Sequence, residues 1–311
     1  MRSKVIILGL FLMATSCTRQ PADADAASAA HDTLTAADQV ALADALTPVS
    51  DASSDALAGD VSSTDSSGPS VYELMGKKPG IKMFLDVFFK EMAWSPVLNF
   101  YLPTADSAQM AQLKIHMTDV LAIIWGCSEC GYAGNLDMAA VHKGVLIADG
   151  EWNAFTGLCF EVMNEELLLP NETIIAAVKA LEVYKGQVVD TTSLYARFGG
   201  RTKVRKVVGQ LFTKYIQADP QLKARFAGAP QPALADLVTD YIAGPVLGQK
   251  YVQYKGKAPA TAHAGMKITD AEMAIFLDLL GKAMDDYTVN PQAKGELLAL
   301  LAKQGQALVG L

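Results

Sequence analysis

Val207, Val208, Leu211, Phe212, Tyr215 and Ile216 recur at i, i+1, i+4, i+5, i+8 and i+9. That is one apolar stripe on a 3.6-residue period, and it predicts an amphipathic helix. Phe84, Leu85, Phe88 and Met92 repeat the pattern upstream. Met110, Leu113, Val120, Leu121 and Ile124 mark a second helix, and Ile174, Val178, Leu181 with Leu297, Leu298, Leu301 mark two more. Alternation of the kind a half-buried strand needs is scarce. Pro103, Gly126, Gly131, Gly150 and Pro170, then Gly228, Pro230, Gly248, Gly256 and Pro291, fall between the stripes as helix breakers. The Gly- and polar-rich stretches 127–136 and 249–258 read as extended loops. The pattern predicts an all-α fold.

The stripes occur twice because the chain repeats itself. Ser70-Val-Tyr-Glu-Leu-Met-Gly76 returns as Ser193-Leu-Tyr-Ala-Arg-Phe-Gly199, and Trp94-Ser-Pro-Val-Leu98 as Ala218-Asp-Pro-Gln-Leu222. Ala140-Val-His-Lys-Gly-Val-Leu-Ile147 returns as Thr261-Ala-His-Ala-Gly-Met-Lys-Ile268. Order and spacing persist while most other residues differ, so a unit of about 120 residues has been duplicated. Each copy is long enough to hold a core of its own. The expected organisation is residues 71–189 and 190–311 as two consecutive helical domains.

Charge separates these domains from what precedes them. Of the net −7, nine Asp lie in residues 21–70 with no Glu, Lys or Arg, and Arg2, Lys4 and Arg19 precede them, which leaves residues 71–311 at −1. Such a body lacks the basic excess that phosphate contacts require, so no nucleic-acid partner is expected. Residues 17–70 are built of Ala, Asp, Ser and Thr and cannot offset the entropy of ordering, so a disordered tether is expected there. Arg2 and Lys4, the ten apolar residues Val5 to Ala14, and Ala14-Thr15-Ser16 have the layout of a signal peptide, residues 1–16. The apolar run is about half the ~20 residues a membrane helix needs. Cys17 after this site resembles the lipobox of bacterial lipoproteins, though Ala14 stands where that motif usually has Leu. The resemblance implies lipidation of Cys17 and anchoring to the membrane at the envelope of a bacterium. Ala14-x-Ser16 also suits ordinary signal peptidase, which leaves Cys17 a free first residue.

Two of the four histidines, His142 and His263, hold the same place in the repeat. Around them the sequence resembles the truncated globins, two-over-two helical haem proteins, and most of all their group I. In that family the proximal segment reads Asp-Met-x-x-Ala-His-x-Gly-(Leu/Met)-x-Ile. Here Asp137-Met138-Ala-Ala-Val-His142-Lys-Gly144-Val-Leu-Ile147 and Ala262-His263-Ala-Gly265-Met266-Lys-Ile268 match it. The family's opening Leu-Tyr-x-x-x-Gly-Gly appears as Leu194-Tyr195-Ala-Arg-Phe-Gly199-Gly200, and more weakly as Val71-Tyr72 to Gly76. The resemblance spans residues 71–189 and 193–309. It implies one non-covalent haem b per domain, since no Cys-x-x-Cys-His is present, with His142 and His263 as the iron ligands. Phe88, Phe100, Tyr101, Trp152 and Phe155 in copy one, and Phe212, Phe226, Met273 and Phe276 in copy two, lie where the family lines its pocket. Leu113 and Leu234 each precede their histidine by 29 residues, so the distal helix keeps its register in both copies.

The distal side departs from the family's better-known oxygen binders. Where those carry Tyr and Gln donors, this chain has Phe89 and Met117 in copy one and Thr213 and Val238 in copy two. Without donors, the partial negative charge on bound oxygen loses about 1.5–3 kcal/mol of stabilisation. Binding of NO or CO needs less polar help. In some group I relatives a histidine at the place of His116 becomes the sixth iron ligand; copy two has Leu237 there. Copy two also replaces the Asp-Met of the proximal motif with Ala258-Pro259. Cys127-Ser-Glu-Cys130 reads as a loop disulfide, because no βαβ pattern surrounds it and copy two has no cysteine to complete a zinc site.

These features fit an exported protein that binds oxygen or another diatomic gas at ferrous haem. The alternatives are a haem enzyme, such as a nitric oxide dioxygenase or a peroxidase-like protein, and a haem-free helical scaffold. No reductase domain or flavin motif is present, so an enzyme would depend on an external electron donor. Gas binding is the favoured expectation.

Overall fold

The computed structural model describes residues 68–103 and 107–311. The signal segment, Cys17 and nearly all of the tether lie outside the described residues. The first half comprises α1 (Val71–Leu74), α2 (Lys77–Trp94), a 3-10 turn (Asn99–Tyr101), α3 (Ala108–Ile124), α4 (Met138–His142), α5 (Asp149–Glu161), α6 (Asn171–Glu182) and α7 (Lys185–Val188). A π-helical turn, Val162–Glu166, extends α5. The second half comprises α8 (Leu194–Phe198), α9 (Gly200–Gln210), α10 (Pro220–Phe226), α11 (Gln231–Tyr241), α12 (Pro259–His263), α13 (Asp270–Asp286) and α14 (Pro291–Gln306). Here π turns extend α9 over Leu211–Ile216 and α11 over Ile242–Val246. The all-α reading holds, and 127–136 and 249–258 contain no helix or strand.

Local sequence starts the helices in matching ways. Ser70 and Ser193 cap α1 and α8 through the amides of Glu73 and Ala196, each satisfying one of the orphan donors of a first turn. Ser107, Asp219 and Asn290 do the same for α3, α10 and α14. In each half, two helical pairs lie on one another: α2 on α3 with α5 on α6, and α9 on α11 with α13 on α14. One buried cluster contains Phe84, Phe88, Trp125, Met163, Ile174 and Val178. The other contains Phe198, Val204, Leu211, Phe212, Leu280 and Leu297. The apolar stripes therefore face inward, Leu298 and Leu301 being half-buried at the margin. A single parallel bridge closes each half at the same place, Ile147 with Val189 and Ile268 with Val309.

The halves meet where α5 packs on α9. Gly150, expected as a breaker, sits instead in the first turn of α5, where an added Cβ would stand 3.2 Å from the Gly199 carbonyl oxygen. It is glycine because the second half's backbone comes that close. Ala148, which precedes α5, is fully buried in the second half's cluster. Among the described residues no helix is long and apolar enough to cross a membrane.

Candidate functional site

His142 is the last residue of α4 and His263 the last of α12. These five-residue helices start differently: Asp137 accepts the Ala140 amide at 3.0 Å in the first, whereas Pro259 occupies the first turn of the second. Proline lacks the N–H that would otherwise be orphaned and carries a helical φ, so it replaces the cap. The departure of Ala258-Pro259 from the family motif thus preserves the helix.

Each histidine turns its Nδ1 to the carbonyl one turn back, at 2.9 Å to Met138 and 2.7 Å to Pro259. A carbonyl only accepts, so Nδ1 carries a proton, and in the neutral ring Nε2 is then the nitrogen with the lone pair. Both histidines are half-buried. The chain then leaves the helix in the same way twice. Gly144 and Gly265 take φ of 75° and 79°, and Leu146 and Lys267 follow at 59° and 49°. Only glycine enters that region freely, which accounts for Gly two residues after each histidine. Val145 and Met266 donate their amides back to the histidine carbonyls at 3.0 and 3.1 Å.

Of the aromatic residues expected around the first histidine, Phe88, Phe89, Trp152 and Phe155 form one group. Ring centroids are 5.7 Å apart for Phe88 and Phe89, 5.5 Å for Phe88 and Phe155, and 5.6 Å for Trp152 and Phe155. Leu113 and Met117 pack against the same cluster. Trp152 Nε1 donates to Glu182 Oε1 at 2.9 Å. In the second half Phe212 and Phe226 meet edge to face at 5.4 Å. Leu234, Val238 and Phe276 pack with them. Met273 is half-buried with its sulfur over Gly305.

Other candidates lie elsewhere. Phe100 packs against the second half's cluster, with the Arg201 guanidinium 5.7 Å from its ring centre. Tyr101 packs against the first cluster, stacks on Phe100 and meets Tyr251 of the second half at 5.9 Å. Both therefore belong to the junction, which the pattern along one repeat could not reveal. Thr213 is exposed and spends its hydroxyl on the Gly209 carbonyl at 2.9 Å. Leu237 is exposed. His116 is exposed and stands edge-on to Tyr132 at 5.7 Å. Cys127 and Cys130 form a disulfide, and Cys159 is a buried free thiol whose pKa burial pushes up.

Two buried polar groups at the junction escaped the sequence reading. Glu151 is 1% exposed and accepts from the Ala148 amide at 2.7 Å, the Tyr195 hydroxyl at 2.8 Å and the Arg201 amide at 2.7 Å. Burial pushes its carboxyl up to about 7, against the opposing pull of those donors. Tyr195 in turn is held well above the ordinary phenol range by burial and by Glu151. Gln249, also 1% exposed, reaches from the second half to the turn that carries His142. The available signal was a difference between copies at one register, Ala148 against Thr269 or Tyr101 against Arg225.

Residues 193–308 match the family described as Bacterial-like globin. Comparison with curated proteins finds no match. Among solved structures, the truncated hemoglobin from Tetrahymena pyriformis in its Fe(III) form is similar at 21% identity. That match covers 39% of this chain and 100% of that one, with a TM-score of 0.36. THB1 of Chlamydomonas reinhardtii is similar at 23% identity over 39% of this chain and 100% of its own, with a TM-score of 0.33.

Proposed function

We propose that residues 71–189 and 190–311 are two truncated-globin-like domains, each holding one haem b through His142 or His263, and that the protein binds a diatomic gas. The observation that carries the reading is the repeated imidazole geometry. Each Nδ1–H is tied to a carbonyl 2.9 or 2.7 Å away, which fixes the tautomer and presents Nε2 as a neutral nitrogen ligand. This donor chemistry fits haem, and the family match over residues 193–308 supports it for the second domain. When bound, haem would supply the ferrous iron at which a diatomic gas binds. The chain would orient the imidazole, and the apolar groups Phe88, Phe89, Trp152 and Phe155 in one domain and Phe212, Phe226 and Phe276 in the other would line the haem pocket. Phe89, Met117 and Val238 offer no donor, and the Thr213 hydroxyl is already engaged. This favours NO or CO over tight oxygen storage. We further infer export with a lipid on Cys17, which holds the protein at the cell envelope.

An absorbance scan and haem assay test the reading. Purified protein should show a Soret band and two haems per chain. His142→Ala and His263→Ala should each remove half of the haem, and full retention in the double variant overturns the assignment.

A further inference from the structure

The turn that follows His142 is held from both halves: within the first, the Tyr101 hydroxyl donates to the Leu146 carbonyl at 3.4 Å, and the second adds a side chain of its own. Gln249 Nε2 donates to the carbonyls of Val145 and Leu146 at 2.9 and 3.1 Å and lies 3.2 Å from the Tyr101 hydroxyl. Its Oε1 accepts the Tyr251 amide at 3.1 Å, and its own amide is bonded to the Ala243 carbonyl at 3.1 Å. The side chain is thus buried, fixed at both ends and aimed at two carbonyls three and four residues beyond the histidine. Val145 hands the constraint on, since its amide bonds the His142 carbonyl at 3.0 Å.

The second half does this internally. Met266 occupies the place of Val145, and its carbonyl accepts Arg225 Nη1 at 2.9 Å. Arg225 stands where copy one has Tyr101, and Glu272 grips it through both oxygens at 2.6 and 3.0 Å. The reverse link cannot form, because the counterpart of Gln249 in the first half is Cys127, closed in its disulfide.

We propose that Gln249 is a positioning residue for His142, so that the second half sets how the first half presents its proximal imidazole, while His263 is set from within its own half. The inference rests on the reading of His142 as an iron ligand. A group bonded directly to a ligating ring typically changes affinity about 10–100-fold when lost, and Gln249, which acts through the Val145 and Leu146 carbonyls, should do less.

The test uses the full chain with Gln249→Met, which keeps the length and removes the donor, and Tyr101→Phe as a milder variant with little risk to folding. In a His263→Ala background only the first site loads. There Gln249→Met should shift the ferrous iron–histidine stretching band and speed haem loss by up to about 10-fold, the low end for partners of a ligating ring, with Tyr101→Phe acting less in the same direction. In a His142→Ala background neither change should touch the second site, whereas Arg225→Met should. An unchanged band and loss rate at the first site, or equal changes at both sites, overturns the proposal. Amide exchange of the haem-free chain gives an independent reading. Gln249→Met should expose residues 143–147 and leave 264–268 unaffected, and equal exchange overturns the link. Failure of the His263→Ala chain to take up haem would sink the ligand reading of His142 and leave the exchange result to decide the link.

Discussion

Glu151 and Glu272 hold matching positions in the two halves, three residues into the helix that follows the turn after His142 or His263, and each accepts the amide of its helix cap, from Ala148 and Thr269. Their surroundings drive them in opposite directions. Glu272 meets Arg225 at the surface, and that hydrogen bond, with those of Thr269, draws its carboxyl down to about 2. Glu151 has no cation beside it; it lies under the second half, bonded by the Tyr195 hydroxyl and the Arg201 amide, and burial pushes it up to about 7. The Arg201 guanidinium is spent on Asp240 and on the Pro96 carbonyl. The same cap serves a junction in the first half and a closed surface feature in the second. Two halves with matching helices can therefore differ in role through the few positions where they touch.

Measuring both carboxylates together sharpens this comparison. Glu151→Ala should cost about 3–5 kcal/mol in denaturant unfolding at pH 5, because it leaves buried donors unpaired and opens a void. Glu272→Ala should cost much less at pH 7, because it removes only a surface cap and ion pair. The pH dependences should have opposite signs. Glu151 has its pKa raised on folding, so its contribution is complete below the ordinary carboxylate value and fades as pH rises through about 7, a change on the order of 3 kcal/mol. Glu272 has its pKa lowered, so its contribution is complete above the ordinary value and is lost as pH falls toward about 2. The gap between wild type and Glu151→Ala should thus narrow from pH 5 to pH 8. Equal losses for the two variants, or gaps that move with pH in the same direction, would break the contrast.

Much of one repeat was legible in the sequence, since the stripe through Val207, Leu211 and Tyr215 and its counterpart through Phe84 and Phe88 follow from helix geometry alone. The paired histidines were legible because they recur while their neighbours change. The junction was not. Phe100 is an aromatic in an apolar neighbourhood, and nothing along the chain says that its partners belong to the other copy. Gln249 lies in a polar loop and reads as solvated until the fold brings it to the Leu146 carbonyl. The π turns leave no periodic mark, as one extra residue in a turn is too small a change for a stripe to register. Divergence between copies was the usable trace: Tyr101 against Arg225, Phe100 against Ala224, Ala148 against Thr269.

An effect smaller than that of Glu151→Ala lies at another such pair, Gly200 and Lys77, which open α9 and α2. Both have left-handed backbone, φ 73° and 60°. At Gly200 an added Cβ would stand 2.3 Å from Glu151 Oε1 and 2.5 Å from Oε2, so glycine there answers both the backbone and the carboxylate of the other half. Lys77 is exposed and bears only the backbone strain. Gly200→Ala should therefore cost about 2 kcal/mol, of which roughly 1 kcal/mol is the left-handed conformation and the rest displacement of Glu151. Lys77→Gly should stabilise, or at worst be neutral, by up to about 1 kcal/mol, since relief of strain opposes the added freedom of the unfolded chain. The decisive measurement is a double-mutant cycle in denaturant. With Glu151→Ala already in place, Gly200→Ala should cost only the backbone share. If its cost is unchanged there, the carboxylate does not press on Gly200, and the two helix starts differ in sequence without differing in what they must fit.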